Sequence, residues 1–425
     1  MDKNNPASNG IWQVFLMKKP VTILLVGAGG YGNFYVDLLL DTKEPRDYRV
    51  AGVVEPNPAG SRRLPELLGE GVPLFLSLAE FYRQHRADLA IISSPIQFHA
   101  EQIITAVTAG SHVLCEKPLC ATVEEGKAII AAAKDTGKLV AVGYQWSFSR
   151  AIQELKEDIG RGLLGRAQRM KTMVFWPRDF AYYQRNNWAG RIKDDQGRWV
   201  LDSVVNNATA HFLHNMFFVL GKSSRENARG QSAYPAAVTA ELYRANPIEN
   251  YDTAALRVRT AGGTELMYYA THATLEERGP EFLYEFANAI VTYGQETGGN
   301  IVAVFKNGER KVYGDPFAGE GNKLWTTIAA IQEGRAVPCG PEAALPQVVC
   351  VNGLQEAGEI LPFPADLVKP RTDSRGEKIG VYVAGLAQDL LGAYAEWKLP
   401  SELGLAWARP GKTKYFHHAF REEGR

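Results

Sequence analysis

Between Val21 and Gly143, short runs of aliphatic and β-branched residues alternate with helical patterns: VTILLV, a helix, RVAGVV, a helix, LAIIS, a helix, HVLCE, a helix, LVAVG. Successive strands separated by helices pair in parallel, because each return to the sheet needs a crossover of helix length. The expected fold is therefore an α/β, Rossmann-type, doubly wound parallel sheet covered by helices on both faces. Helix starts are marked too. Thr122 with Glu125 makes a capping box ahead of EGKAIIAAAKD, and Ser77 stands at the N-cap position before LAEFYRQH.

The alternation stops near Ser149. After a helix over about Ala151 to Ile159, long runs of strand character follow: RAQRMKTMVFW, AALRVRT, TELMYYATHAT and IVAVFKNG, the last carrying an Asn307-Gly308 hairpin turn. These predict an α+β domain with a large, mainly antiparallel open sheet. One apolar helix at about Asn207 to Leu220 interrupts the strands, and helices at about Lys323 to Glu333 and Ala343 to Ala357 close the domain. VYVAGLAQDLLGAYAEW reads as a further helix before a polar tail bearing Arg and Lys. The expected division is an extension over 1–20, a dinucleotide-binding domain over 21–148, a substrate and oligomerisation domain over 149–364, and a C-terminal extension over 365–425.

A chain of 425 residues suits two cores, and its 47 basic and 47 acidic residues cancel. No charge field draws the chain to nucleic acid or to a membrane surface, so neither is an expected partner. The four cysteines, Cys115, Cys120, Cys339 and Cys350, lack CxxC spacing, which points to reduced thiols, no metal site and a cytoplasmic setting. The apolar run from Ile11 to Met17 is too short and interrupted for a signal segment or a membrane span, so no export is expected. Residues 1 to 16 read as an extension or an upstream start and are given no function.

VTILLV runs directly into Gly27-Ala28-Gly29-Gly30-Tyr31-Gly32, a GxGxxG turn with a strand before it and a helix after it. Glycines there permit a tight turn, close approach of a pyrophosphate, and helix-on-strand packing, with the phosphate at the helix N-terminus. RVAGVV ends at Glu55, whose carboxylate suits ribose hydroxyls and repels a 2′-phosphate. NAD is the expected cofactor. NADP is less favoured, although Arg62 and Arg63 close behind leave room for a phosphate.

Three further motifs stand in order: Ser94-Pro95-Ile96-Gln97-Phe98-His99, HVLCEKP with Glu116-Lys117-Pro118, and GYQWSF. With the glycine loop they resemble the glucose-fructose oxidoreductase and inositol dehydrogenase family, Gfo/Idh/MocA. The resemblance is close over 21 to 221, looser to about 360, and absent beyond. It implies a cis peptide before Pro118, Glu116 on the nicotinamide side, and cofactor contacts from Ser94, His99 and Gln145, with Tyr144 facing substrate. From the residues alone, Lys117 ends a buried strand at the carboxyl edge of a parallel sheet, where such sheets bind ligands, and can polarise a substrate oxygen.

The second key segment is WVLDSVVNNATAHFLHNMFFVLG. On a helix Asn207, His211 and His214 share one stripe of an otherwise apolar surface, and a histidine titrating near neutrality is the usual proton acceptor in alcohol oxidation. By resemblance His211 is the acid/base, and Asn207 occupies the position of a family aspartate. That change removes a negative charge beside the histidine. Asp202 is a substitute, though half a turn out of phase on a continuous helix. A core role for His211 or His214 is the plain alternative, and a metal held by Asp202, His211 and His214 has no supporting motif. Ile96 and Trp146 also depart from the family pattern. In the preceding aromatic and basic stretch, Trp176, Arg178, Tyr182, Trp188 and Arg191 can stack on a sugar ring or equally pack a loop or a dimer contact.

These features together point to an NAD(P)-dependent oxidoreductase for a carbinol or ketone of a sugar, glycoside, cyclitol or sugar acid. One rival is redox-neutral elimination through a transient keto-sugar; another is a non-catalytic nicotinamide-binding sensor or scaffold. A sheet face without evident helix cover leads us to expect a homodimer or homotetramer.

Overall fold

The computed structural model describes residues 19–42, 47–222, 231–319 and 321–416. The extension before Lys19 and positions 417–425 of the polar tail lie outside them. Strands β1 (Val21–Val26), β2 (Tyr48–Val54), β3 (Leu74–Phe75), β4 (Leu89–Ile92), β5 (His112–Cys115) and β6 (Val140–Val142) form a parallel sheet in the order β3-β2-β1-β4-β5-β6. The crossovers contain α1 (Gly32–Asp41), α2 (Leu64–Gly69), α3 (Leu78–Gln84), α4 (His99–Thr108) and α5 (Val123–Thr136). All four residues of β4 are buried, as a strand covered on both faces requires. The order turns back between β1 and β4, and a crevice opens there at the carboxyl ends of the strands. Both expected caps form: Ser77 accepts from the Glu80 amide, and Thr122 and Glu125 make a reciprocal capping box.

Helix α6 (Arg150–Gly160) leads into the second sheet, built from β7 (Ala167–Phe175), β8 (Pro235–Arg244), β9 (Thr253–Thr260), β10 (Glu265–Thr271), β11 (Arg278–Phe286), β12 (Ala289–Tyr293), β13 (Ile301–Phe305), β14 (Arg310–Gly314) and β15 (Ile360–Pro362). Its order is β14-β13-β12-β11-β7-β10-β9-β8-β15, antiparallel except for the β7–β10 and β8–β15 pairs. Asn307-Gly308 lies in the β13–β14 turn, where Gly308 takes φ +86°. The segment between β7 and β8 carries α7 (Phe180–Gln184) and α8 (Ala210–Val219). After β14, α9 (Asn322–Glu333) and α10 (Pro341–Ala357) return toward the first domain. Helix α10 is apolar on every side and packs against α5, α8 and β8.

Two expectations need correction. VYVAGLAQDLLGAYAEW is not one helix: VYV ends β17 (Lys378–Val383), paired with β16 (Val368–Thr372), and only after Gly385, at φ +80°, does α11 (Leu386–Glu396) begin. Three alternating residues cannot fix a period, and the β-branched pair favours the strand. The sheet face expected to lie open is largely covered by the chain itself. Val383, Leu386, Leu390, Leu399 and Trp407 bury Met173, Phe175, Tyr243, Met267 and Tyr269 of β7, β8 and β10, and β18 (Thr413–Tyr415) adds a strand beside β8. The rest of that face, on β12 to β14, exposes Ile290, Val304 and Val312. Among the described residues no helix is long and apolar enough to cross a membrane.

Candidate active site

The crevice begins at the glycine loop. Gly27 has φ +83°, and a side chain there would meet the Ser93–Ser94 backbone at 3.1 Å; one on Gly32 would lie 2.2 Å from the Gly27 carbonyl. Gly30, at φ +52°, has nothing within 4 Å of a would-be side chain, so the loop presents bare backbone to open space, which is what a pyrophosphate needs. Glu55 is buried at the end of β2. Its Oε2 accepts from the Ala28 amide at 2.8 Å and the Gly29 amide at 3.1 Å, and its Oε1 accepts from the Asn57 amide at 2.8 Å. Arg62 pairs with Asp37, and Arg63 with Asp37, Asp41 and Glu66.

Glu116 and Lys117 leave β5 side by side, and the Lys117–Pro118 peptide is cis. Glu116 lies against Gly143 of the next strand end, where any side chain would fall within 2.7 Å of its Oε1. That same oxygen accepts from Tyr35 at 2.6 Å and from Lys323 at 2.5 Å. Lys323, at the start of α9, is fully buried and also donates to the Tyr31 hydroxyl at 2.9 Å.

The Lys117 ammonium donates to the Asn207 carbonyl at 2.7 Å and to Asn207 Oδ1 at 3.0 Å. Asn207 Nδ2 in turn donates to Asp202 Oδ1 at 2.8 Å, while the Gly190 amide donates to Asp202 Oδ2 at 2.6 Å. Asp202 and Asn207 can meet because the chain between them is not a continued α-helix: Val204–Ala208 winds as a π-turn entered from Ser203, and α8 starts only at Ala210. The expected helix from Asn207 is corrected accordingly. Burial pulls the Asp202 carboxyl upward, against the Gly190 amide and the cations around it. Burial likewise lowers Lys117 to about 8, opposed by the negative charges of Glu116 and Asp202 and reinforced by Lys323 and Arg185.

His211 projects from the first turn of α8, edge-on to the Tyr144 ring with centroids 5.8 Å apart. Its Nδ1 is buried without a hydrogen-bond partner. Burial first, and the Lys117 charge second, hold it well below the usual histidine range, so it is neutral at pH 7. His214 also packs on Tyr144: its ring lies flat on that tyrosine at 3.8 Å, and its Nε2 faces Ser147 Oγ at 3.0 Å. It is the core histidine of the pair. Tyr144, expected to face substrate, is instead fully buried, with its hydroxyl donating to Gln347 at 3.1 Å. It reaches the site only through His211.

Other expected contacts are redistributed. His99 is buried, with its ring nitrogens 2.8 Å from the Pro118 and Ser94 carbonyls, so it braces the Lys117 turn rather than facing cofactor. The Ser94 hydroxyl donates to Gln102 at 2.5 Å. Gln145 begins the 3-10 turn after β6 and is half-buried. Trp146 is buried in an aromatic group with Phe212, Phe282 and Tyr293. Trp176 donates to the Gly279 carbonyl at 3.1 Å and packs edge-on against Phe212. Trp188 packs with Ile96 and Val200, and Arg191 pairs with Asp195. Arg178 and Arg185 lie against the Tyr182 ring, 4.9 and 3.8 Å from its centre.

Residues 21–144 match the family described as an oxidoreductase family with an NAD-binding Rossmann fold, GFO/IDH/MocA. The N-terminal domain belongs to the Gfo/Idh/MocA family. Among curated relatives, 1,5-anhydro-D-fructose reductase of Ensifer adhaerens is 29% identical over 142 residues, 33% of this chain and 41% of that protein. The matched stretch thus spans less than half of that relative. An oxidoreductase from Agrobacterium radiobacter, solved with NAD+, L-tartaric acid and magnesium, superposes with a TM-score of 0.64 at 16% identity, over 79% of this chain and 95% of its own. The WlbA dehydrogenase from Bordetella pertussis, solved with NADH and UDP-GlcNAcA, does so at 0.63 and 21% identity, over 79% and 96%. These two likenesses extend the likeness in fold into the second sheet.

The sequence pattern does not single out Lys323 and Arg185. Lys323 had a signal: it sits on the buried stripe of α9 with Leu324, Thr327 and Ile328, where an ammonium needs a partner. Arg185 had none, since its segment has no regular period.

Proposed function

We propose that the protein is an NAD-dependent oxidoreductase that interconverts a secondary alcohol and a ketone on a polyhydroxylated substrate: a sugar, glycoside, cyclitol or sugar acid. The observation that carries this reading is the Lys117–Asn207–Asp202 chain set beside a neutral His211 whose Nδ1 lacks a partner, at the carboxyl edge of an NAD-binding sheet. An ammonium has three N–H donors; Asn207 takes two, which leaves one for a substrate oxygen. Asn207 therefore aims Lys117, and Asp202 fixes Asn207 so that its oxygen, not its amide nitrogen, faces the lysine.

When bound, the nicotinamide supplies a two-electron hydride acceptor. The chain's own groups manage the proton. Lys117 polarises the carbinol oxygen, His211 takes the hydroxyl proton, and the carbon becomes a carbonyl as its hydride leaves; reduction uses the same groups in reverse. Glu116, already paired with Lys323, sits next to Lys117 without drawing its ammonium away. The bare Gly30 backbone fits the dinucleotide, and Glu55 stands where ribose hydroxyls would lie. Pairing of Arg62 and Arg63 with carboxylates supports NAD over NADP, because neither guanidinium is left to meet a 2′-phosphate.

The test is an anaerobic assay with NAD and a panel of sugars, glycosides, cyclitols and sugar acids, following the NADH band and product masses together. Growth of NADH with a product two mass units lighter is the expected result. Product release without NADH would replace this reading with redox-neutral elimination.

A further inference from the structure

Two arginines lie on the Tyr182 ring beside the Lys117–Asp202 group. Lys117 and Arg185 act on Asp202, whose two oxygens are already occupied by Gly190 and Asn207, and Arg178 lies with Arg185 on the Tyr182 ring. Glu116 adds no free charge, because Lys323 neutralises it. Among the described residues neither Arg178 nor Arg185 forms an ion pair. The Arg178 guanidinium donates to the carbonyl of its own neighbour Pro177, at 3.2 Å, and contacts the Tyr182 side chain, and its Nε is buried without a partner. Arg185 donates to the Tyr182 carbonyl and stacks on the Tyr182 ring, with Trp188 at 5.3 Å on its flank.

These guanidinium groups belong to the site itself. Arg185 is close enough to act electrostatically on Lys117, Asp202 and His272, and Arg178 on Tyr182, Tyr183 and His272. By contrast, the other arginines of the same segment are paired, Arg191 with Asp195 and Arg198 with Asp194. The arginine segment is also braced from behind: Gly380 of β17 lies 3.4 Å from the Asp179 Cα and 3.6 Å from the Arg178 carbonyl, measured from where its side chain would begin. A planar guanidinium held by aromatic rings, with donors left over, is built to grip a planar or tetrahedral oxyanion.

We infer that the substrate carries an anionic substituent, a carboxylate or a phosphate, which Arg185 and Arg178 bind while its carbinol meets Lys117 and His211. This inference rests on the oxidoreductase reading and narrows its substrate class. A charged group anchored beside Tyr182 then sets which hydroxyl reaches the lysine.

The test measures binding apart from turnover. Dissociation constants are taken by calorimetry on the NADH-loaded protein for D-glucuronate, D-gluconate and glucose 6-phosphate against glucose and methyl glucoside. At least one anion is expected to bind about 10- to 100-fold more tightly than its neutral counterpart, and that ratio is expected to collapse toward one in Arg185→Gln and in Arg178→Gln/Arg185→Gln. Arg191→Gln, which removes a charge already paired, is expected to keep the ratio. A sugar acid favoured over the sugar phosphate identifies a carboxylate, and the reverse a phosphate. Equal affinity for charged and neutral ligands, no anion binding at all, or an unchanged ratio in the arginine variants would overturn the inference. NADH formation from neutral sugars would in that case leave the oxidoreductase reading standing.

Discussion

Replacing Asn207 by aspartate would bring a carboxylate oxygen to 3.0 Å from the Lys117 ammonium, while its other oxygen meets Asp202, already raised by burial, across one shared proton. Lys117 titrates at about 8 because burial disfavours its charge. If the ammonium polarises the carbinol, kcat/KM for oxidation falls as pH rises through about 8. An adjacent carboxylate favours the charged lysine, so Asn207→Asp is expected to move that alkaline limb upward by about one to two pH units. A limb that stays in place would show that another group titrates there. His211→Ala is expected to lower kcat by about 10²- to 10⁴-fold with NAD affinity retained, the usual range for a lost acid/base; single-turnover rates and NADH fluorescence separate the two quantities. The glycine loop, Lys117 and His211 were legible because each stands at a fixed offset from a strand or helix end. Lys323 was not, because its partner Glu116 lies 207 positions away and only the folded chain brings them together. Asp202 reads as half a turn out of phase with Asn207, since the π-turn that brings the two together has no sequence period of its own.

At the level of elements, strands buried on both faces were the easiest to read and strands with one polar face the hardest. RGPEFLYEF of β11 buries Pro280, Phe282, Tyr284 and Phe286 on alternate positions, yet its Gly-Pro pair and glutamates mask the period. PAAVTAELYR of β8 hides in alanines, which carry little strand preference. The C-terminal segment was illegible for a different reason: its apolar residues cover a sheet face that no local pattern reveals. Leu390 of α11 is fully buried on that face, whereas Val312 of β14 is 61% exposed. Leu390→Ala is therefore expected to cost about 2–5 kcal/mol in denaturant unfolding, and Val312→Ser to change stability by no more than about 0.5 kcal/mol. Equal effects from the two would mean that the C-terminal elements are not part of the folded core. Such an outcome would also remove the support that β17 gives to the Arg178 segment.

Across the whole molecule, the two domains are joined at the cofactor crevice by α9 and α10 as well as by the chain that leaves β6. The Lys323–Glu116 pair is the polar part of that joint, and both side chains are buried. A buried pair contributes little net stability over an apolar replacement, but removing one member strands the other charge away from water. Lys323→Met would leave Glu116 with the Tyr35 hydroxyl and the Lys117 backbone amide as partners. We expect that variant to lose about 3–5 kcal/mol in denaturant unfolding, and the double variant Lys323→Met/Glu116→Gln to recover much of the loss because no carboxylate is then stranded. NAD binding should weaken along with stability in the single variant, since Lys323 also holds the Tyr31 hydroxyl on the glycine loop. A single variant as stable as the parent would show that Glu116 is not ionised in the fold. If instead the double variant proved no more stable than the single, Lys323 would act through the aromatic rings of Tyr31, Phe34 and Tyr35 beneath it rather than through Glu116. The two outcomes separate an electrostatic joint between the domains from an aromatic one.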